Sequence, residues 1–460
     1  MSKTIAEKYI DEKSAELNEL SKKIWENPEV AYEEVKASKW TAEFLEKKGF
    51  TVERAYVGVP TAIKATWGKG KPVIGLLGEY DALPNMSQKI KTVKDPIQKG
   101  EPGQACGHNL LGVAHVGAAL GIKKELEENN LEGTVVYYGC PAEEVLTGKV
   151  FMARNGAFRD LDIAMAFHPG TENSLTTGSG TALNSAIFHF NGVTAHAGGD
   201  PQNGRSALDA VEQFDVGANY LREHVTDDVR IHYVITDGGQ APNIVPDHAS
   251  VWYYVRALSR EVVEDTYERL IKVAKGAAIS TETEVEIEFL GGCYNTLQNK
   301  VLVDLVHKTM HEIDRPKWTE EEMKFAEALN KVSPRFKKML ASGQITKDTH
   351  LATEVSEIKH NNSYGSTDVG DVQHIVPGVM FTTATNNMGA PGHSWQITAS
   401  AGSSYGHKGM IYASKVMANA ALKAVKNPSI IEKAKAEFKD VMGKKEYNCP
   451  IPDSIPIPKA

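Results

Sequence analysis

Hydrophobic positions recur at helical spacing from the start of the chain. The stretches IAEKYIDEKSAELNELSKKIWE (5–26) and VKASKWTAEFLEKKGF (35–50) read as two amphipathic helices, split by NPEVAYEE (27–34), with Gly49 closing the second. From there the period alternates. PVIGLLGEYDALP (72–84) is a buried-type strand leading into a loop, ACGHNLLGVAHVGAALGIKKELEE (105–128) a helix and GTVVYYGCPAEE (133–144) a strand. VFMARNGAF (150–158) is a short helix and DLDIAMAFHPG (160–170) a further strand. This alternation predicts an α/β fold on an open, mostly parallel sheet.

A different order begins near residue 184. SAIFHFNG (185–192) is a strand, RSALDAVEQFDVGANYLREHV (205–225) a helix, and DVRIHYVITDGG (228–239) and HASVWYYVRAL (248–258) are strands. EVVEDTYERLIKVAKGAA (261–278) is a helix and TEVEIEFLGG (283–292) a strand. The order β-α-β-β-α-β is the ferredoxin-like split unit, able to stand as its own small domain. The chain then turns helical and charged through EEMKFAEALNKVSPRFKKML (321–340), returns to a strand at GVMFTTATNN (378–387) and closes with HKGMIYASKVMANAALKAV (407–425). The expected organisation is one α/β domain in two segments, 1–183 and 294–460, with the split unit inserted at 184–293. The stretch 311–363 has no counterpart in this pattern; it either caps a pocket or extends a subunit surface.

Composition adds exclusions. With 41% hydrophobic and 24% charged residues over 460 positions, the chain can bury a sizeable core. No apolar run reaches the ~18 residues of a membrane helix, and the opening MSKTIAEKYIDEKSAELNEL lacks a secretory pattern, so a cytoplasmic protein without a membrane partner is expected. The net charge of -8 is dispersed and no basic block is present, which argues against nucleic acid. The four cysteines, at 106, 140, 293 and 449, are too scattered for a disulfide framework or a Cys-x-x-Cys redox motif.

The chemistry collects where the strands of the α/β domain end. Sites in open α/β sheets form beyond the carboxyl ends of strands. Glu79 and Asp81 follow one predicted strand, Cys106 and His108 open the next helix, Glu143 and Glu144 end another strand, His168 ends a third, and His393 follows the last. GQACGHNLLG (103–112) has three readings: a redox cysteine, a nucleotide loop, or half of a metal site. It carries neither G-x-G-x-x-G nor a P-loop Lys-Ser/Thr pair, which disfavours a nucleotide. A thiolate, imidazoles and a carboxylate suit zinc, manganese, cobalt or nickel, whereas calcium or magnesium would call for oxygen donors. A helix amino terminus is expected to favour the Cys106 thiolate. Adjacent carboxylates at a strand end point different ways, so one of Glu143 and Glu144 can hold metal while the other faces substrate.

Taken together, NPEVAYEE, GEYDALP, ACGHNLLG, PAEE, FHPG, GVTAHAGG, GRSALDAV, APNIVPDHA, GSTDVGDV and PGHSWQ resemble, in order and over nearly the whole chain, the dinuclear metal amidohydrolase and carboxypeptidase family of aminoacylases, auxin-conjugate hydrolases and hippurate hydrolases. The resemblance implies one or two divalent ions per subunit, Mn2+ or Zn2+, held by Cys106, His108, Glu144, His168 and His393. It implies Glu143 as general base and His196 as the lid histidine that steadies the oxyanion, commonly in the partner's site of a dimer. Asn243 and Arg256 are implied as lid residues holding the substrate carboxylate, and the inserted unit as a lid and dimerisation domain. Many relatives carry His-x-Asp where this chain has Glu79-Tyr80-Asp81, so Glu79 is not assigned as a ligand and Asp81 is expected to support one. Asn109, where the auxin-conjugate branch has Asp, tilts the expectation to the aminobenzoyl-glutamate branch. The expected reaction is hydrolysis of the amide in N-acyl amino acids or dipeptide-like substrates. Arg256 suits a carboxylate because its charge is permanent and its donors forked. Three rivals stand beside this: a dipeptidase of the same family, a non-catalytic partner for a paralogous chain, and a thiol enzyme using Cys106.

Overall fold

The computed structural model describes residues 3–459. In chain order the strands are β1 (Thr51–Arg54), β2 (Ile63–Lys69), β3 (Val73–Glu79), β4 (Gly133–Cys140), β5 (Ile163–Gly170), β6 (Ser174–Leu175), β7 (Ala182–Asn191), β8 (Arg230–Asp237), β9 (His248–Ala257), β10 (Glu284–Cys293) and β11 (Gly378–Ala384). Seven of them form one sheet in the order β1-β2-β4-β3-β5-β11-β6. Its core, β4-β3-β5-β11, is parallel. Antiparallel pairs finish both edges. The expected parallel sheet is therefore present, with an edge strand β1 and its inner neighbour β2 that the apolar pattern does not flag, since β1 is largely exposed and has no inward run to reveal it.

Helices cover the sheet. His108–Glu128 is buried around nearly its whole circumference from His108 to Ile122, packed among the sheet and the helices Ile5–Glu26 and Ser404–Lys426. A helix apolar on all sides can only sit inside a core. Two glycines set its position. Gly107 takes φ +83° at the N-cap, and a Cβ on Gly112 would lie 2.3 Å from the Glu79 carbonyl oxygen, so glycine at 112 lets the helix meet the end of β3.

Because the core strands run parallel, the ends of β3 at Glu79, β4 at Cys140, β5 at Gly170 and β11 at Ala384 lie on one side of the sheet. Loops from four separated parts of the chain meet there.

The four remaining strands form an antiparallel sheet in the order β10-β7-β9-β8, with helices Ala207–Leu221 and Arg260–Thr281 packed on one face. Alternate residues of β9 divide accordingly. Val251, Tyr253 and Val255 are buried under the helices, whereas Trp252, Tyr254 and Arg256 are only partly covered on the opposite face. The stretch expected as one charged helix at 321–340 is two, Glu320–Lys331 and Pro334–Ala341, with the break at Ser333. Proline cannot continue a helix but starts one well, and the Ser333 hydroxyl accepts from the Phe336 amide as the second N-cap. Among the described residues, no helix is long and apolar enough to cross a membrane.

Candidate metal centre

His108, fully buried, begins its helix beside the end of β3. Its Nδ1 lies 2.8 Å from Asp81 Oδ1, and Asp81 Oδ2 accepts from the Glu144 amide at 2.8 Å. A carboxylate oxygen accepts, so the ring donates through Nδ1 and turns Nε2 toward the cavity. His168 repeats the arrangement: Nδ1 is 2.8 Å from the Pro169 carbonyl, leaving Nε2 facing Cys106 Sγ at 3.4 Å. His393 Nε2 is 3.6 Å from Glu144 Oε2. In each of three sets the donor atoms lie within 4.8 Å of one another: Cys106, His108 and His168; Cys106, Glu144 and His393; and Glu79, His108 and Glu143.

The electrostatics favour positive charge. Burial opposes a proton on His108, but Cys106 and Asp81 outweigh it and raise the ring well above the ordinary imidazole value. Burial, reinforced by Glu79, lifts Glu143 well above the carboxylate range. Glu144 is brought to about 7 by burial, with His108 opposing and Asp81 reinforcing. Burial and the neighbouring His108 lower His168, which keeps it neutral. One expectation is corrected: burial, with Glu144 adding to it, pushes the Cys106 thiol up. Cys106 precedes the Gly107 cap, outside the first turn where the helix dipole acts, so the terminus alone does not supply a thiolate.

The loop carrying His393 is held from the stretch that the sequence pattern leaves unplaced. The buried Asn330 Oδ1 accepts from the Gly389 amide at 2.8 Å and from Asn387 Nδ2 at 2.7 Å. The Ser333 hydroxyl donates to the Gly389 carbonyl at 2.5 Å, and Arg335 Nη1 donates to Ala390 O at 3.0 Å. Beyond this brace, His393 stands in the left-handed region at φ 49°.

Residues 182–282 match the peptidase dimerisation domain. The chain is 37% identical over 455 residues to one of the subunits of p-aminobenzoyl-glutamate hydrolase from Escherichia coli, covering 95% of each, and 30% identical to the Xaa-Arg dipeptidase of Homo sapiens, covering 94% of this chain and 90% of that one. The chain belongs to the M20 peptidase family. It is thus a hydrolase of the amidohydrolase and peptidase type. The fold agrees with two solved structures. An aminobenzoyl-glutamate utilization protein from Klebsiella pneumoniae superposes with a TM-score of 0.62 at 17% identity, covering 90% of this chain and 97% of that one. The Bacillus subtilis YXEP protein, a dinuclear metal binding peptidase from the M20 family, gives 0.58 at 16% identity, covering 90% and 98%.

The donor set fits the metal that the M20 family implies. Among the described residues, His108 Nε2, Glu79 Oε2 and Glu144 Oε1 are buried without a hydrogen-bond partner, which is costly unless a cation meets them. Glu79, Asp81, Glu143 and Glu144 all lie within 3.9 Å of the His108 ring, and Glu79 and Asp368 share a single ammonium, Lys149. Divalent charge would offset this excess.

A cavity of about 910 Å3 opens beside these donors, lined by Cys106, Glu143, Glu144, His168, His393 and Arg256 among others. Arg256 Nη1 donates to Ser366 Oγ at 3.1 Å, and no carboxylate of the described residues pairs with it, so it is not in a surface ion pair. His196 and Asn243 do not line this cavity. They lie together on the exposed surface of the matched dimerisation domain, where Ala197 N donates to Asn243 O at 3.0 Å and His196 Nδ1 accepts from Gly199 N at 2.9 Å. Sequence reasoning does not find Lys149 or Asp368. Nothing marks Lys149 in VLTGKVF, and Asp368 stands in a motif, GSTDVGDV, whose residues have no assigned task.

Proposed function

We propose that this M20 hydrolase cleaves the amide bond of N-acyl amino acids or dipeptide-like substrates, with p-aminobenzoyl-glutamate or a related aromatic-acyl amino acid as substrate. The observation that carries the reading is the meeting, at one sheet end, of two thiol- and imidazole-rich donor sets with a separate buried carboxylate, Glu143, beside an unpaired arginine, Arg256. The name of the Escherichia coli relative supplies the acyl group. In this reading Cys106, His108, Glu144, His168 and His393 hold one or two Mn2+ or Zn2+ ions, and Asp81 orients His108.

A bound divalent cation supplies Lewis-acid polarisation and acidification of water. Glu143, whose proton affinity burial raises, takes the proton of the attacking water and returns it to the leaving amine. Arg256 holds the carboxylate of the leaving amino acid by a forked pair of donors. His196 and Asn243, exposed on the inserted domain, complete the cavity of a second copy of the chain, His196 donating to the developing oxyanion. The working unit is then a dimer through residues 184–293, between catalytic segments 1–183 and 294–460. A homodimer is the simplest form, and pairing with a paralogous chain is the other, since this chain also resembles the other subunit of the same Escherichia coli hydrolase, 28% identical over 252 residues.

The test is the purified chain supplied with Mn2+ or Zn2+. Release of p-aminobenzoate from p-aminobenzoyl-glutamate, abolished by a chelator and restored by metal, is expected. Activity that resists chelation but is lost on thiol alkylation would overturn it in favour of a Cys106 nucleophile, and activity only after adding a paralogous chain would make this one a support.

A further inference from the structure

Glu79 ends β3, Lys149 lies in the helix Gly148–Arg154, and Asp368 immediately precedes the helix Val369–Gln373, so three distant segments meet in one buried cluster. Lys149 and Asp368 are fully buried and Glu79 is 2% exposed. The Lys149 ammonium is 2.6 Å from Asp368 Oδ1 and 2.5 Å from Glu79 Oε1, while the Lys149 amide donates to Asp368 Oδ2 at 2.7 Å. Both oxygens of Asp368 are thus engaged, and only one of Glu79.

The free oxygen has a defined outlook. Glu79 Oε2 lies 3.4 Å from His108 Nε2, and neither atom has a hydrogen-bond partner. Since Nδ1 of His108 donates to Asp81, the neutral ring that a metal ion requires would turn a lone pair to the Glu79 carboxylate oxygen in this buried pocket. Two acceptors at that range repel unless something positive lies between their directions. Two donors about 2.1 Å from one small divalent ion, at a roughly tetrahedral angle, stand about 3.4 Å apart. The Lys149 ammonium cannot serve both carboxylates fully: it balances one of them, and the remaining negative charge is presented toward His108.

We infer that Glu79 is a further oxygen donor to the cation bound at His108, held with one oxygen outward by the buried Lys149–Asp368 pair. This rests on the cation-binding reading of the site. Glu79 is a residue that the ligand set above leaves out, and Lys149 and Asp368 act through it as positioning residues. A buried ammonium is a firm clamp for this purpose because leaving it would expose an uncompensated charge in the core.

The experiment uses the full chain, stripped of metal and titrated with MnCl2, with bound Mn2+ followed by its electron paramagnetic signal and by elemental analysis. Glu79→Gln keeps the shape and a hydrogen-bonding oxygen for Lys149 but removes the anionic donor. The expected result is Mn2+ affinity lowered by about tenfold or more with circular dichroism unchanged. Wild-type affinity and stoichiometry in Glu79→Gln would overturn the inference. Should that variant not fold, Glu79→Asp keeps the charge but withdraws the oxygen, and the same two outcomes decide. The two readings fail separately: if the wild type binds no Mn2+ or Zn2+, the metal site itself falls, whereas if His108→Ala loses metal and the Glu79 variants do not, only Glu79 is removed from it.

Discussion

Asp81 holds His108 with one carboxylate oxygen and the Glu144 amide with the other, each at 2.8 Å. A single side chain therefore aims an imidazole and sets the backbone from which a carboxylate reaches the same cavity. Asp81→Ala is expected to lower Mn2+ or Zn2+ affinity by roughly 10- to 100-fold, as loss of such a supporting hydrogen bond does in other metal sites. Competition with a chromogenic chelator measures it; an unchanged affinity would show that the ring is aimed by packing alone.

In the proposed mechanism Glu143 moves a proton and does not hold the metal. Glu143→Gln is expected to keep its bound metal while turnover falls by about 10^2- to 10^4-fold, the usual worth of a positioned general base. Metal content and kcat on the same sample check both halves, and a variant as active as wild type would remove Glu143 from proton transfer.

Cys106→Ser should bind metal more weakly and hold fewer ions, because a thiol that burial keeps protonated ionises only when a cation meets it. Elemental analysis decides, and unchanged stoichiometry would exclude the sulfur as a ligand.

The brace on the His393 loop is testable as stability. Asn330→Ala leaves the Gly389 amide and the Asn387 side chain without their buried acceptor, at a cost of about 1–3 kcal/mol. Urea unfolding reads the loss, and metal retention should fall alongside it, as in His393→Ala. Unaltered stability would mean that residues 320–341 merely lie against the loop.

A pH effect is expected far from the metal. Tyr253 donates to Asp215 Oδ1 at 2.5 Å between β9 and the helix Ala207–Leu221, and burial brings Asp215 from 3.8 to about 6 despite that bond. The folded state therefore holds a proton that the unfolded chain has released, so this contribution is present below pH 3.8 and is lost as pH rises through about 6. Asp215→Asn should flatten that part of the pH–stability curve. Denaturant unfolding between pH 4 and pH 7 checks it, and an identical pH dependence in wild type and variant would show that Asp215 is not perturbed.

Much of the arrangement is legible in the chain. The runs at 72–84, 133–144 and 160–170 form β3, β4 and β5, and the split unit forms β7 to β10 with its two helices. The edge strand β1 and its neighbour β2 escape the pattern because β1 is largely exposed and β2 only partly covered, so both carry little apolar signal. The apolar period at 321–340 runs on across Pro334, so it hides a helix break that the proline itself marks. At the site, Cys106, His108, Glu143, Glu144, His168 and His393 are found by their place after strands, but Lys149 is not: a lysine in sequence reads as solvent-facing, and only packing shows that this one has no exposed surface.

By itself the sequence determined which residues end strands and which faces are apolar, because periodicity and turn chemistry act over a few neighbours. It also carried the ordered motifs from which the hydrolytic family could be read. The tertiary structure alone decided that Glu79, Lys149 and Asp368 share one pocket, that Arg256 reaches the cavity while His196 and Asn243 do not, and that residues 320–341 hold the loop of His393. Those relations join positions up to hundreds of residues apart, and they are fixed by burial and charge compensation, which have no local period to read.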